Sequence, residues 1–185
     1  MKFHKNVETI IREVSDLLGR IRSADVDPVV EQLIRAHRIY VAGGGRTGLM
    51  ARAFAMRLMH LGLSAYVVGE TTTPAIHKND VLLVCSGSGQ THVTVLVSRV
   101  AKEIGAKIIA ITANRESQIA QIADTVVVLD APHKTSTAEG VPSIQYAGSL
   151  FEQGLLILTD AMALEIGRRL GRGDREIGQR HANLE

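Results

Sequence analysis

Two short runs in this 185-residue chain combine residue types suited to holding an anion. They are Gly43-Gly44-Gly45-Arg46-Thr47-Gly48 and Ser86-Gly87-Ser88-Gly89-Gln90-Thr91. In the first, glycines let the backbone approach a bound group closely, and Arg46 supplies a positive charge for an anion. In the second, Ser86, Ser88 and Thr91 bring three hydroxyls, as many as a phosphate has terminal oxygens. Each run follows an apolar stretch and precedes a helical pattern, so amides at a helix start would face the same anion. The candidate binding set is therefore Gly45, Arg46, Thr47, Ser86, Gly87, Ser88 and Thr91.

Two other readings stay open on these residues. Serine and glycine also cap helices and tighten turns. The first run also satisfies G-x-G-x-x-G, and Glu70 falls near the end of the second strand, where a ribose-binding acid of a dinucleotide site would sit. The hydroxyl-rich second run argues against the dinucleotide. Among proton-transfer groups, Glu152 and His181 stand out. Ser149-x-x-Glu152 is also the spacing of a capping box, the explanation that the residues alone favour for Glu152. His181, whose imidazole would titrate near ~6.5, lies in a polar tail, and the residues alone favour reading it as a solvated tail histidine. His60 reads as a helix-end histidine and Cys85 as a small strand-end hydrophobe.

The elements that must carry these residues follow from apolar periodicity. Val7, Ile10, Ile11, Val14, Leu17 and Leu18 have helical spacing, and Asp27-Pro28 is expected to cap and open a second helix before Val29, Val30, Leu33 and Ile34. Five short apolar runs follow: 39–42, 65–68, 81–84, 108–111 and 125–129, as expected of buried parallel strands. Helical patterns at 49–61, 93–104 and 117–122 lie between them, with Gly62 and Gly105 as helix-ending glycines. The alternation predicts an α/β fold: one five-stranded, parallel, doubly wound sheet of flavodoxin-like order 2-1-3-4-5, flanked by helices, with extra N- and C-terminal helices. In that order the two loops flank the switch-point crevice between strands one and three. The stretch 131–148 is either a lid or an irregular surface crossing, and it leads into an apolar helix from Leu150 to about Leu170. The tail from Gly171 is expected to fray or to dock on a partner.

Composition narrows the function. The chain is sized for a single domain, taken as residues 1–185. Its 21 basic and 19 acidic residues leave a net charge of +2, no basic face for nucleic acid. Aromatics make up 3% and Trp is absent, so a bound sugar must be held by hydrogen bonds rather than by stacking. One cysteine excludes an internal disulfide, and no paired Cys/His spacing suggests a metal. With no signal peptide and no apolar run near ~20 residues, the expected location is the cytoplasm, without membrane contact.

The second loop behind its apolar strand, paired with the Gly-rich first loop, resembles the sugar isomerase (SIS) family of phosphosugar-binding domains. Within it, the segments 53–62, 67–74, Gly148-Ser149-Leu150-Phe151-Glu152-Gln153 and Arg180-His181-Ala182-Asn183-Leu184 resemble the 6-phospho-3-hexuloisomerases. That resemblance implies interconversion of a hex-3-ulose 6-phosphate and fructose 6-phosphate, the second step of formaldehyde fixation by the ribulose monophosphate route, with an isomerase of another phosphosugar or a non-catalytic phosphosugar-binding regulator as the alternatives. It implies no metal and no redox cofactor, a phosphosugar as the partner, and a homotetramer with sites near subunit contacts. It also shifts Glu152 from helix cap to catalytic base, and makes His181 a catalytic candidate. The chain departs from the family's usual Gln-Pro-Met before Gly148, having Gln145-Tyr146-Ala147 instead.

Overall fold

A computed structural model describes residues 2–133, 142–146 and 148–184. Five strands, β1 (Ile39–Gly43), β2 (Ala65–Val67), β3 (Val81–Cys85), β4 (Lys107–Thr112) and β5 (Thr125–Val128), form one sheet of order β2-β1-β3-β4-β5. Every pairing is parallel. The fold class and strand order match the sequence expectation, each strand lying within two residues of its predicted limits.

Strand side chains alternate between two faces, and each face has its own core. Ile39, Val41, Leu83, Ile109 and Val127 pack with α1 (Lys2–Leu18), α2 (Ser23–Arg35), α3 (Gly45–His60) and α6 (Ser149–Leu170). Tyr40, Leu82, Val84, Ile108 and Ala110 pack with α4 (His92–Ile104) and α5 (Gln118–Ile122). Burial on both faces explains why the strands are almost wholly apolar and carry no polar alternation. None of the described helices is long and apolar enough to cross a membrane.

Two expectations change. α2 begins at Ser23, so Pro28 lies inside the helix and neither caps nor opens it. Asp27 instead accepts from Arg169 Nη2 at 2.6 Å, tying α2 to α6. The tail does not run free: a short α7 (Asp174–Gly178) lies against α3, with Ile177 on the larger core. Half of the lid-or-crossing stretch, residues 134–141 and 147, lies outside the described residues.

Candidate active site

Register sets the site. Gly43, the last residue of β1, is level with Cys85, the last residue of β3, so both loops leave the carboxyl edge of the sheet side by side. The first loop turns at once into α3, and Gly45 adopts φ +56°, left-handed backbone open to glycine at little cost. Glycine at 48 has a packing reason: a Cβ there would stand 2.6 Å from the Gly43 carbonyl oxygen.

The second loop closes on itself. The Gly89 amide donates to Ser86 Oγ at 3.1 Å, and Ser86 Oγ lies 3.2 Å from Thr91 Oγ1. Ser86 is buried, so its hydroxyl shapes the loop from inside, while Thr91 is exposed and Ser88 half-buried. Ser88 Oγ accepts from the Gln90 amide at 3.3 Å. Gly89 has φ +62°, and a Cβ on it would fall 2.1 Å from Ser117 Oγ. The loops nearly touch, since a Cβ on Gly44 would lie 3.6 Å from the Thr91 methyl.

Glu152 joins them from far along the chain. α6 opens on Gly148 at φ +90°, with no side-chain cap, so the expected Ser149–Glu152 capping box does not form. Arg46 Nη1 donates to Glu152 Oε2 at 2.9 Å and to Ser149 Oγ at 3.1 Å, joining the first turns of α3 and α6. Glu152 is 15% exposed and Arg46 49%. Its carboxylate therefore faces a cleft of about 250 Å³ lined by Gly45, Arg46, Thr47, Ser86, Gly87, Ser88, Thr91, Gly148 and Glu152. All seven predicted binding residues meet there.

The amino ends of α3, α4 and α6 converge on this cleft, each with amides that have no intrahelical acceptor. With the Arg46 charge matched by Glu152, the three helix starts are what give the cleft its favourable potential for an anion. The volume is small against the ~300–1,000 Å³ of pockets for drug-sized ligands, which suits a phosphosugar better than a dinucleotide. Glu70, where the competing dinucleotide reading would place its ribose contact, is spent on an exposed ion pair with Arg52 at 3.0 Å. Among the described residues no cluster of three or more His, Cys, Asp or Glu has the arrangement of a metal centre. Cys85 lines the floor of the cleft, where burial pushes its thiol up to about 12.

His181 is not brought to the cleft. Its ring lies against His60 at the far end of α3, with centroids 4.1 Å apart. A 16-residue helix places that end ~20 Å from the Arg46 loop. Burial, then the His181 and Arg57 charges, hold the His60 imidazole below its ordinary value. Conversely, His133 lines the cleft although the sequence did not single it out. The signal available was positional: it follows β5 at the carboxyl edge of a parallel sheet.

Residues 32–153 match the family model described as the SIS domain. The chain belongs to the SIS domain family. Over 97% of its length it is 43% identical to the 3-hexulose-6-phosphate isomerase of Mycobacterium gastri, covering 90% of that protein. The Bacillus subtilis protein of the same name is 36% identical over the full length of both chains. A crystal structure from Methanococcus jannaschii, from which a 3-hexulose-6-phosphate isomerase function was inferred, superposes with a TM-score of 0.86 at 34% identity. It covers 98% of this chain and 99% of that one. The matched SIS region contains both loops and ends one residue beyond Glu152.

Proposed function

We propose that this chain is a 6-phospho-3-hexuloisomerase, interconverting D-arabino-hex-3-ulose 6-phosphate and fructose 6-phosphate. The observation that carries the reading is the Arg46–Glu152 pair, which holds a mostly buried carboxylate in the cleft formed by the two loops. The full-length relatives named for this reaction support it.

The chemistry is balanced with one carboxylate. Glu152 takes the proton from C2, leaving a 2,3-enediolate whose charge Arg46 offsets. The hydroxyl proton passes from O2 to O3, and Glu152 returns its proton to C3, so the ketone moves to C2. The phosphate sits on the 86–91 loop, held by backbone amides and the Ser88 and Thr91 hydroxyls, while Gly45 and Thr47 face the reacting end. The enzyme works in the cytoplasm as a homotetramer, in the ribulose monophosphate pathway. His181, ~20 Å from the cleft of its own chain, serves the cleft of a neighbouring subunit.

The test is NMR with hex-3-ulose 6-phosphate in deuterated water, which reports isomerisation and solvent exchange together. Wild-type protein forms fructose 6-phosphate. Glu152→Gln binds the sugar but turns it over about 10²–10⁴-fold more slowly, the usual worth of a positioned base. Wild-type rates in that variant would remove Glu152 from the mechanism.

A further inference from the structure

Glu13 lies on α1, on no predicted site and outside the cleft, yet three donors from one short segment converge on it. Ser143 Oγ donates to its Oε2 at 2.7 Å, the Ile144 amide to its Oε1 at 2.9 Å, and Gln145 Nε2 to its Oε2 at 2.9 Å. The segment is braced internally by the Gln145 amide donating to Ser143 Oγ at 3.0 Å. Burial raises the Glu13 pKa, but the bonds from Gln145, Ile144 and Ser143 and the Arg12 charge outweigh it and leave the carboxyl below its usual value.

The same segment leads into the helix that bears Glu152. The Ser149 amide donates to the Tyr146 carbonyl at 2.9 Å, and the Glu152 amide to the Gly148 carbonyl at 3.0 Å. One turn beyond Glu13, Leu17 fills the notch at Gly154, where a Cβ would stand 2.6 Å from Leu17 Cδ2. α1 thus grips α6 directly at Gly154 and grips the segment leading into it through a carboxylate. A side-chain cap would ordinarily fix such a helix start, and α6 has none.

We propose that Glu13 is a positioning residue for the isomerisation: its carboxylate holds Ser143-Ile144-Gln145 so that α6 begins where Glu152 meets Arg46 and the substrate. The inference rests on the isomerase reading for its kinetic consequence, but not for its structural one. Both oxygens act as acceptors, so an amide cannot replace the carboxylate. In Glu13→Gln one of the three donors must face an NH2 group.

The experiment compares Glu13→Gln with wild type in two readouts. In the first, kcat falls about ten- to a hundredfold while KM stays within about twofold, because a displaced base costs the transition state and not ground-state binding. A merely structural role would lower the unfolding midpoint and leave kcat per folded molecule alone. In the second, hydrogen exchange of the Ser149 and Glu152 amides speeds up at least about tenfold, with β3 and α4 unchanged. Wild-type kcat, or wild-type exchange at Ser149 and Glu152, overturns the proposal. Should the wild-type chain not turn over hex-3-ulose 6-phosphate, the isomerase reading fails, and the exchange readout alone decides whether Glu13 sets the helix start.

Discussion

Gly89 gives the most demanding test of the phosphate loop. Its φ of +62° costs a residue with a side chain roughly 1–2 kcal/mol in left-handed backbone. A Cβ would also stand 2.1 Å from Ser117 Oγ, 2.4 Å from Ser117 Cβ and 2.9 Å from Thr112 Oγ1. Ser117 and Thr112 are fully buried, so neither can swing aside into solvent, and overpacking of this kind costs about 1–3 kcal/mol. Together Gly89→Ala should destabilise by about 2–5 kcal/mol, roughly 4–20 °C in Tm for a domain of this size. The loop can relieve the clash only by moving, which breaks the Gly89 amide bond to Ser86 Oγ. Losing one charge-assisted bond to the phosphate would weaken fructose 6-phosphate by about ten- to a hundredfold. Gly45→Ala is the control: φ is +56°, but nothing lies within 4 Å of its Cβ, so only the backbone cost of roughly 1–2 kcal/mol applies. Urea unfolding and calorimetric titration read both quantities. If Gly89→Ala proves no less stable than Gly45→Ala and binds normally, the loop is not built as described.

Other outcomes follow from the same geometry. Arg46→Gln should raise KM and lower kcat in steady-state assays, yet change urea stability by less than about 1 kcal/mol, because Arg46 is half exposed. His60 is held below ~6.5, so an undocked tail binds more protons than the docked one in the window beneath that value. Docking is therefore complete above pH ~6.5 and weakens as pH falls towards the folded pKa; α7 amide exchange should rise over that range, and a flat profile would contradict it. Cys85, with its thiol near 12, should resist a thiol reagent at pH 8 in the folded protein and react fully in urea.

The sheet and both loops were legible in the sequence because each signal was local. A buried parallel strand shows as an unbroken apolar run, and glycine marks where it turns; Gly62 and Gly105 end their helices with φ +74° and +88° as expected. Pro28 misled because Asp-Pro is a good local start signal, while the packing of α2 extends the helix back to Ser23. Glu152 was visible but ambiguous, since spacing cannot tell a cap from a base. The cap is excluded by Gly148, whose left-handed φ starts α6 and leaves Glu152 to Arg46, 106 residues earlier in the chain. Glu13 was invisible for the same reason: its partners lie about 130 residues away, and no periodicity spans such a gap.

The charge placement in the cleft shows why these distant segments must meet. Arg46 occupies the first turn of α3, where the helix dipole disfavours a cation, and the starts of α4 and α6 bring the same sign of potential close by. By local rules it is the wrong residue there, and such breaches of local preference are expected at functional sites. The conflict is relieved only by an anion. In the free protein that anion is Glu152, itself favoured in the first turn of α6. In the proposed reaction Glu152 loses its charge as it takes the C2 proton, and the same negative charge reappears on the enediolate, to which Arg46 can turn. On that proposal the ion pair is the resting state of a site whose strongest electrostatic demand is met by the reaction intermediate, as complementarity to the transition state requires.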